Sequence, residues 1–258
     1  MNQTKKVPRL YNGAFFPTAG DYSIDPVHSF VDFIISKAFY LCTMSFERNM
    51  RALIPFKKSN AKSRLGSLLS EKEREELAMA MLNDVAGTLV TSRCFDVIDI
   101  LSTSIIEVEG VNIVLTEMGL NEALNEYLDK MSSHKINEPV LIIMADIPLV
   151  STKNIKDIVS TKADIMIAPG RMGGTNAIFI RDPGSFHVDY YGASFLKHLR
   201  IASGLHIEIF DSFNLSTDID EVPDLIEVLL HGKGHSQEYL KTIGIDISAN
   251  GGRVGVKR

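Results

Sequence analysis

The stretch Pro139-Val140-Leu141-Ile142-Ile143-Met144-Ala145-Asp146-Ile147-Pro148-Leu149-Val150-Ser151 limits what this chain can fold into more than any other. Its first part is an unbroken apolar run of strand length. With no polar alternation, it predicts a strand buried on both faces of a sheet. The run ends at a single acid, Asp146, with Pro148 close behind. Open α/β sheets place their ligands in the crevice outside the carboxyl ends of central strands. A carboxylate there cannot continue the core. It either caps its own turn or meets a cation, for which a divalent metal is a good candidate.

Upstream of this strand, Met50-Arg51-Ala52-Leu53-Ile54-Pro55 predicts the first core strand. The loop after it, Phe56-Lys57-Lys58-Ser59-Asn60-Ala61-Lys62-Ser63-Arg64-Leu65, carries four cations among small polar residues. Ammonium, guanidinium and backbone N–H donors in such a loop can surround phosphate oxygens. It lacks the glycine spacing of a Walker A loop or a dinucleotide fingerprint, so a solvated charge run is the competing reading. Ser70 with Glu73 forms a capping box that opens an amphipathic helix through about Thr88.

Further strands are predicted at Phe95–Ser102, Val111–Leu115, Asp164–Ala168, Thr175–Ile180 and His206–Phe210. Helices are predicted to start after Gly119, at Ser151, around Ser194 and at Pro223. Asn121 is either an N-cap or an amide open to a nucleobase. Gly173 and Gly174 before Thr175 allow close backbone approach to a ligand, or a plain hairpin turn. Gly192 and Ser194 stand where a helix N-terminus welcomes an anion, though Ser194 could equally cap. In Thr217-Asp218-Ile219-Asp220 an extended backbone would project both acids to one side, where two like charges favour a cation between them. The histidines, His198 among them, show no zinc spacing and suit surface or cap roles. No spacing suggests a nucleophile triad.

With 258 residues, 45% of them hydrophobic, the chain can bury the core of one large α/β domain. Strand–helix alternation points to a three-layer α/β/α sandwich. A net charge of -5 argues against general affinity for nucleic acid or anionic membrane. No run reaches the ~18–20 apolar residues of a membrane span; Phe30 to Met44 is interrupted by Asp32 and Lys37. Cys42 and Cys94 have no metal-ligand spacing, and reduced thiols in a cytoplasmic protein are the default. Residues 1–49 are punctuated by Pro8, Gly13, Pro17, Gly20 and Pro26 and read as an extension, non-native or disordered, ahead of a domain at 50–258. The rival is an amphipathic appendage that docks on the domain or a partner.

Two acidic sites and one basic loop at strand ends suit transfer of a nucleotidyl group. From Met50 onward the chain resembles the 2-phospho-L-lactate guanylyltransferase family of coenzyme F420 biosynthesis. The resemblance is carried by Pro55-Phe56-Lys57, Ala61-Lys62-Ser63-Arg64-Leu65, Gly119–Asn125, Met144–Leu149, Gly173-Gly174-Thr175-Asn176-Ala177, Tyr191–Phe195 and Thr217–Asp220. It implies a mixed, mostly parallel sheet of the nucleotide-diphospho-sugar transferase type, like GT-A glycosyltransferases. It also implies that GTP and 2-phospho-L-lactate, or phosphoenolpyruvate or 3-phosphoglycerate, are joined with loss of pyrophosphate. By their own chemistry Lys57, Lys58, Lys62 and Arg64 could hold the triphosphate; with the resemblance, Lys62, Arg64 and Asp146 are expected to be catalytic. By the same resemblance Asp146, Asp218 and Asp220 hold Mg²⁺, and Asn121 and Glu122 lie near the guanosine. Thr175, Gly192 and Ser194 surround the acceptor's phosphate, and members are homodimers. The competing readings are another small-molecule nucleotidyltransferase, a GT-A glycosyltransferase using a nucleotide sugar, and a non-catalytic nucleotide-binding protein.

A chain beginning at Met50 is expected to fold and to keep its transferase activity, because the first core strand starts there. Insolubility or inactivity of that shorter chain would show that the preceding residues contribute to the domain.

Overall fold

The computed structural model describes residues 49–59, 61–250 and 252–258. The expectation for residues 1–49 therefore lies, Asn49 apart, outside the described residues. Among them, no helix is long and apolar enough to cross a membrane.

The apolar runs become strands β1 (Arg51–Phe56), β2 (Val97–Ser102), β3 (Asn112–Leu115), β4 (Val140–Ile143), β5 (Ile165–Pro169), β6 (Thr175–Ile180) and β7 (Ile207–Ile209). They form one sheet in the order β3-β2-β1-β4-β6-β5-β7. Only β6 runs against its neighbours, so the sheet is mixed and mostly parallel. All four residues of β4 are buried, as the unbroken run requires. Alternate residues of the central strands feed two cores. Ala52, Ile54, Leu141, Ile143 and Phe179 face helices α1 (Glu71–Ser92) and α3 (Thr152–Val159). Leu53, Val140, Ile142 and Ile178 face α2 (Leu120–Ser133) and the residues around α4 (Ser194–Ile201). These are the three layers.

Local chemistry sets the helix starts. Ser70 and Glu73 cap α1 reciprocally, and Ser151 with Asn154 does the same for α3. Beyond α4 come a short α5 (Phe213–Ser216), then α6 (Leu225–His231) and α7 (His235–Thr242), which build a satellite core on the outer side of α1 around Leu77, Met81, Leu225 and Leu240. Pro223 lies in a 3-10 turn just before α6 rather than in its first turn. A hairpin of β8 (Asp246–Asn250) and β9 (Arg253–Lys257) was not foreshadowed by the sequence pattern.

The sheet changes direction between β1 and β4. Chain order runs outward from β1 to β2 and β3, and returns to place β4 on β1's other side. Pairing of β1 with β4 stops at Leu53↔Ile142, while pairing with β2 continues to Phe56. Pro55, which has no N–H to give, lies just past that point. The strands therefore part at their carboxyl ends, which opens a crevice at the switch point.

A second fixture holds the segment leading into α4. Asn125 on α2 accepts from the Val188 N–H at 2.8 Å and donates to the Val188 carbonyl at 3.0 Å. Its amide thus acts as a one-residue strand partner for a buried backbone. Asn125→Ala is expected to cost about 1–3 kcal/mol for each group left unpaired. Urea unfolding measures this, and an unchanged midpoint would show that the clamp carries no stability.

Candidate active site at the sheet's switch point

Asp146 emerges three residues past β4 at the crevice. It does not cap its own turn: Oδ2 accepts from Lys62 Nζ at 2.6 Å, and Oδ1 is buried without a hydrogen-bond partner. Lys62 comes from the basic loop after β1 and takes a left-handed backbone, φ 53. For a residue with a Cβ that conformation costs roughly 1–2 kcal/mol. The same ammonium donates to Asp220 Oδ1 at 2.7 Å. Only 11% of the Lys62 side chain is exposed, so it is a buried cation held by two carboxylates. Burial pulls its pKa down, but Asp146 and Asp220 outweigh burial and leave it above the usual lysine range.

The Thr217–Asp220 segment approaches from the other side, between α5 and the turn before α6. Its two acids face different partners. Asp220 also meets Arg64 at 3.5 Å. Burial raises its carboxyl pKa, yet Lys62 and Arg64 together bring it below the ordinary value. Asp218 accepts from Asn176 Nδ2 at 3.3 Å and lies 4.0 Å from Arg171 Nε. Burial first, and then the charges of Asp146 and Asp220, hold its carboxyl above the ordinary value despite Asn176. The three acids thus feel one another, although the segment is not a strand.

Several residues that position the site had no role in the sequence reading. Asn176 also donates to the Leu215 carbonyl at 2.8 Å, pinning the acid-bearing segment to β6. Gly170 leaves room for it, since a Cβ there would stand 2.4 Å from Asn176 Oδ1. Arg171 donates to the Asp218 carbonyl and to Asp224 Oδ1. The other oxygen of Asp224 accepts from the backbone N–H groups of Asp220 and Glu221 at 2.9 and 2.7 Å. Since β6 is antiparallel, its first residues share an edge with the carboxyl ends of β4 and β5, which is how Asn176 and Thr175 reach the site.

Beside the acids lies a cleft of about 480 Å³, lined by Pro55, Lys57, Thr103, Glu117, Gly119, Met144 and Tyr191 among others. A smaller space of about 130 Å³ shares Pro55, Phe56, Lys57 and Met144 with it and touches Lys62 and Asp146. The start of α2 borders the cleft, with Gly119 at its N-cap. Glu122 folds back over this helix start, where a Cβ on Gly119 would stand 2.4 Å from its Oε2. Asn121 is neither an N-cap nor free: its oxygen accepts from the Tyr190 N–H at 2.8 Å. A larger cavity of about 780 Å³ runs along β2, β3 and α2. Its polar floor is already satisfied, with Tyr127 and Asn112 donating to Asp99 and Arg51 to Glu138. Unlike the cleft, it shares no lining residue with the small space that touches Lys62 and Asp146.

Thr175 and Ser194 come together as a hydroxyl pair at 3.2 Å, while Gly192 lies on the loop between them with φ 71. Ser194 does not cap α4; the N-cap is Ala193. The surface or cap role expected of His198 is wrong, because it is fully buried. Its Nε2 accepts from the Asp189 N–H at 3.0 Å. The remaining proton then sits on Nδ1, 3.0 Å from Thr175 Oγ1. The reason the sequence misleads here is that the histidine's partners are a backbone amide and a hydroxyl, which no spacing records.

A parallel-biased α/β sheet, opened at its switch point and lined there by acids and cations, defines a protein of the nucleotide-transferring α/β class. Solved structures bear out the fold. A Desulfovibrio desulfuricans protein described as a nucleotide-diphospho-sugar transferase superimposes with TM-score 0.61 at 17% identity, covering 75% of this chain and 94% of that one. A 4-diphosphocytidyl-2C-methyl-D-erythritol synthase gives TM-score 0.52 at 13% identity, covering 73% and 100%. In sequence, the 2-phospho-L-lactate guanylyltransferase of Methanoregula boonei is 52% identical over 209 residues, 80% of this chain and 94% of that protein. The enzyme of the same name from Methanocella arvoryzae is 49% identical over 209 residues, covering 80% and 92%. Residues 50–258 match the family described as guanylyl transferase CofC like, and the chain belongs to that family.

Burial drives the pKa of His198 down to about 4, with Asp189 opposing and His187 and Lys197 assisting. The unfolded chain binds that proton from pH ~6.5, whereas the folded one resists it until pH ~4. Stability is therefore fully present above the higher value and is lost as pH falls toward the lower, by about 3 kcal/mol across the window. Melting temperatures read between those limits are expected to fall less steeply in His198→Gln than in wild type. Parallel slopes would mean that His198 is not the titrating group.

Proposed function

We propose that this chain transfers GMP from GTP to a small phosphorylated carboxylic acid, 2-phospho-L-lactate or phosphoenolpyruvate, within coenzyme F420 biosynthesis. With the first acceptor the products are lactyl-2-diphospho-guanosine and pyrophosphate. The reading rests on one observation above the others: Asp146, Asp218 and Asp220 converge with Lys62 at the switch point, beside a cleft large enough for a nucleoside.

A phosphate oxygen of the acceptor attacks the α-phosphorus of GTP. The new P–O bond forms as the bond to the β-phosphate oxygen breaks, and pyrophosphate leaves with the electron pair. The attacking oxygen is already ionised, so no general base is needed. Rate enhancement comes from positioning and from charge stabilisation. Lys57, Lys62 and Arg64 suit the triphosphate. Glu122, folded over the start of α2, offers acceptor oxygens to the N–H edge of guanine, with helix N–H groups alongside for a carbonyl. The amide of Asn121 supports that subsite indirectly, by tethering Tyr190. The paired hydroxyls of Thr175 and Ser194, with Gly192 between them in sequence, are assigned to the acceptor's phosphate.

Mg²⁺ belongs to the same reading. Among the described residues no three acidic, histidine or cysteine side chains stand close enough to share an ion as arranged. The donors nevertheless fit in kind, all being carboxylate oxygens, and Asp146 Oδ1 is buried and unpartnered. Asp146, Asp218 and Asp220 would hold the ion, which supplies charge neutralisation as pyrophosphate departs. A homodimer and a cytoplasmic setting complete the proposal and rest on the family resemblance.

Asp218→Asn separates function from fold. It is expected to reduce pyrophosphate release from GTP and 2-phospho-L-lactate about a hundredfold or more, in line with loss of a charged interaction of ~3 kcal/mol at the transition state. The nucleotide-free protein should melt at the same temperature or higher, because Asp218 carries its charge unwillingly. Normal turnover in this variant would remove Asp218 from the site.

A further inference from the structure

In this structure Lys62 holds the position that the Mg²⁺ reading assigns to a metal. Its ammonium lies 2.6 Å from Asp146 and 2.7 Å from Asp220, two residues drawn from different loops. It reaches them from a left-handed backbone position, so the loop is shaped to deliver the ammonium there. Locally, five carboxylates (Asp146, Asp218, Asp220, Glu221, Asp224) meet three cationic side chains, and of those cations only Lys62 stands between Asp146 and Asp220, with Arg64 and Arg171 shared with Glu221 and Asp224. A divalent ion arriving alone would have to expel the lysine from both carboxylates and leave a buried ammonium without partners. An ion arriving with a triphosphate brings the negative charge that gives Lys62 somewhere else to go.

We propose that Lys62 is the site's built-in counter-ion, which excludes a divalent cation from the nucleotide-free enzyme and yields its place only when the triphosphate draws the ammonium away. The proposal rests on the metal reading above, and it makes binding ordered: the cation enters with the nucleotide, not before it. In the nucleotide-free enzyme Lys62 then acts through Asp146 and Asp220, and once displaced it meets the triphosphate.

Mn²⁺ alone is the probe, with free ion counted by electron paramagnetic resonance during titration of the nucleotide-free full chain. Wild type is expected to bind it weakly, and to gain affinity when a non-hydrolysable GTP analogue is present. Lys62→Met is expected to bind Mn²⁺ roughly tenfold or more tighter without nucleotide, within the range of a typical coupling between two sites. Lys62→Arg keeps the positive charge and should stay near wild type. If Lys62→Met folds poorly, Lys62→Gln serves the same comparison, and a rise in melting temperature on adding Mn²⁺ reports the same binding. Equal weak binding in wild type and the neutral variants overturns the counter-ion role. Failure of the metal reading itself looks different: Asp146→Asn would then bind Mn²⁺ with the analogue as well as wild type does.

Discussion

The ammonium of Lys62 ties together three loops that are far apart in the chain. Its partners lie 84 and 158 residues away, so the loop after β1, the turn after β4 and the Thr217–Asp220 segment cannot move independently. A buried cation carries a desolvation penalty of several kcal/mol, which two carboxylates at hydrogen-bond distance can offset. Removing one of them would leave the charge half compensated, which is why such pairs fix geometry more than they add stability. Arg171 and Asp224 do similar work next door, and Asp224 also holds the backbone of Asp220 and Glu221 in place.

The sheet explains why those loops meet at all. Parallel β1, β4 and β5 send their carboxyl ends to one edge, and Pro55 parts β1 from β4 there. Strand β6 then enters in the opposite sense, so its beginning lies at that edge. Thr175 and Asn176 consequently contribute from the start of a strand, where a purely parallel sheet would offer only strand ends. Asn176 uses this position to hold Leu215 and Asp218, linking the central strand's neighbour to the acidic segment.

Much of the fold could be read from residue patterns. Continuous apolar runs marked β4, β5 and β6, and the capping boxes at Ser70 and Ser151 marked where α1 and α3 begin. The edge strand β3 is mostly exposed yet was still marked by its short run at Val111–Leu115, whereas the β8–β9 hairpin, which packs on the satellite core, carries no strong apolar signal. Asp146 was legible because a carboxylate at a strand end needs a partner, and Asp218 with Asp220 because two acids so close in sequence repel unless a cation meets them. Which partner each would take was not. Lys62 read as a phosphate ligand, and its place between Asp146 and Asp220 depends on a left-handed backbone turn that sequence does not announce. Asn121 read as a cap or an open amide, yet long-range hydrogen bonds claim it. His198 gave no signal because burial and a backbone partner, rather than any neighbour in sequence, fix its state.

These features set two demands on the same side chain. On the proposed reading, cations receive a triphosphate and acids receive a metal, but in this structure Lys62 is held between Asp146 and Asp220. A chain with net charge -5 has no general surplus of positive charge to attract an anion, so attraction must come from the local basic loop. Lys57 is exposed beside the cleft and Arg64 remains two-thirds exposed, so these two can meet the phosphates first. Lys62, inside, can follow only as the incoming charge compensates for its withdrawal from the acids. On that reading, the division of the basic loop into an exposed pair and a buried residue follows from placing phosphate-binding and metal-binding groups at one switch point.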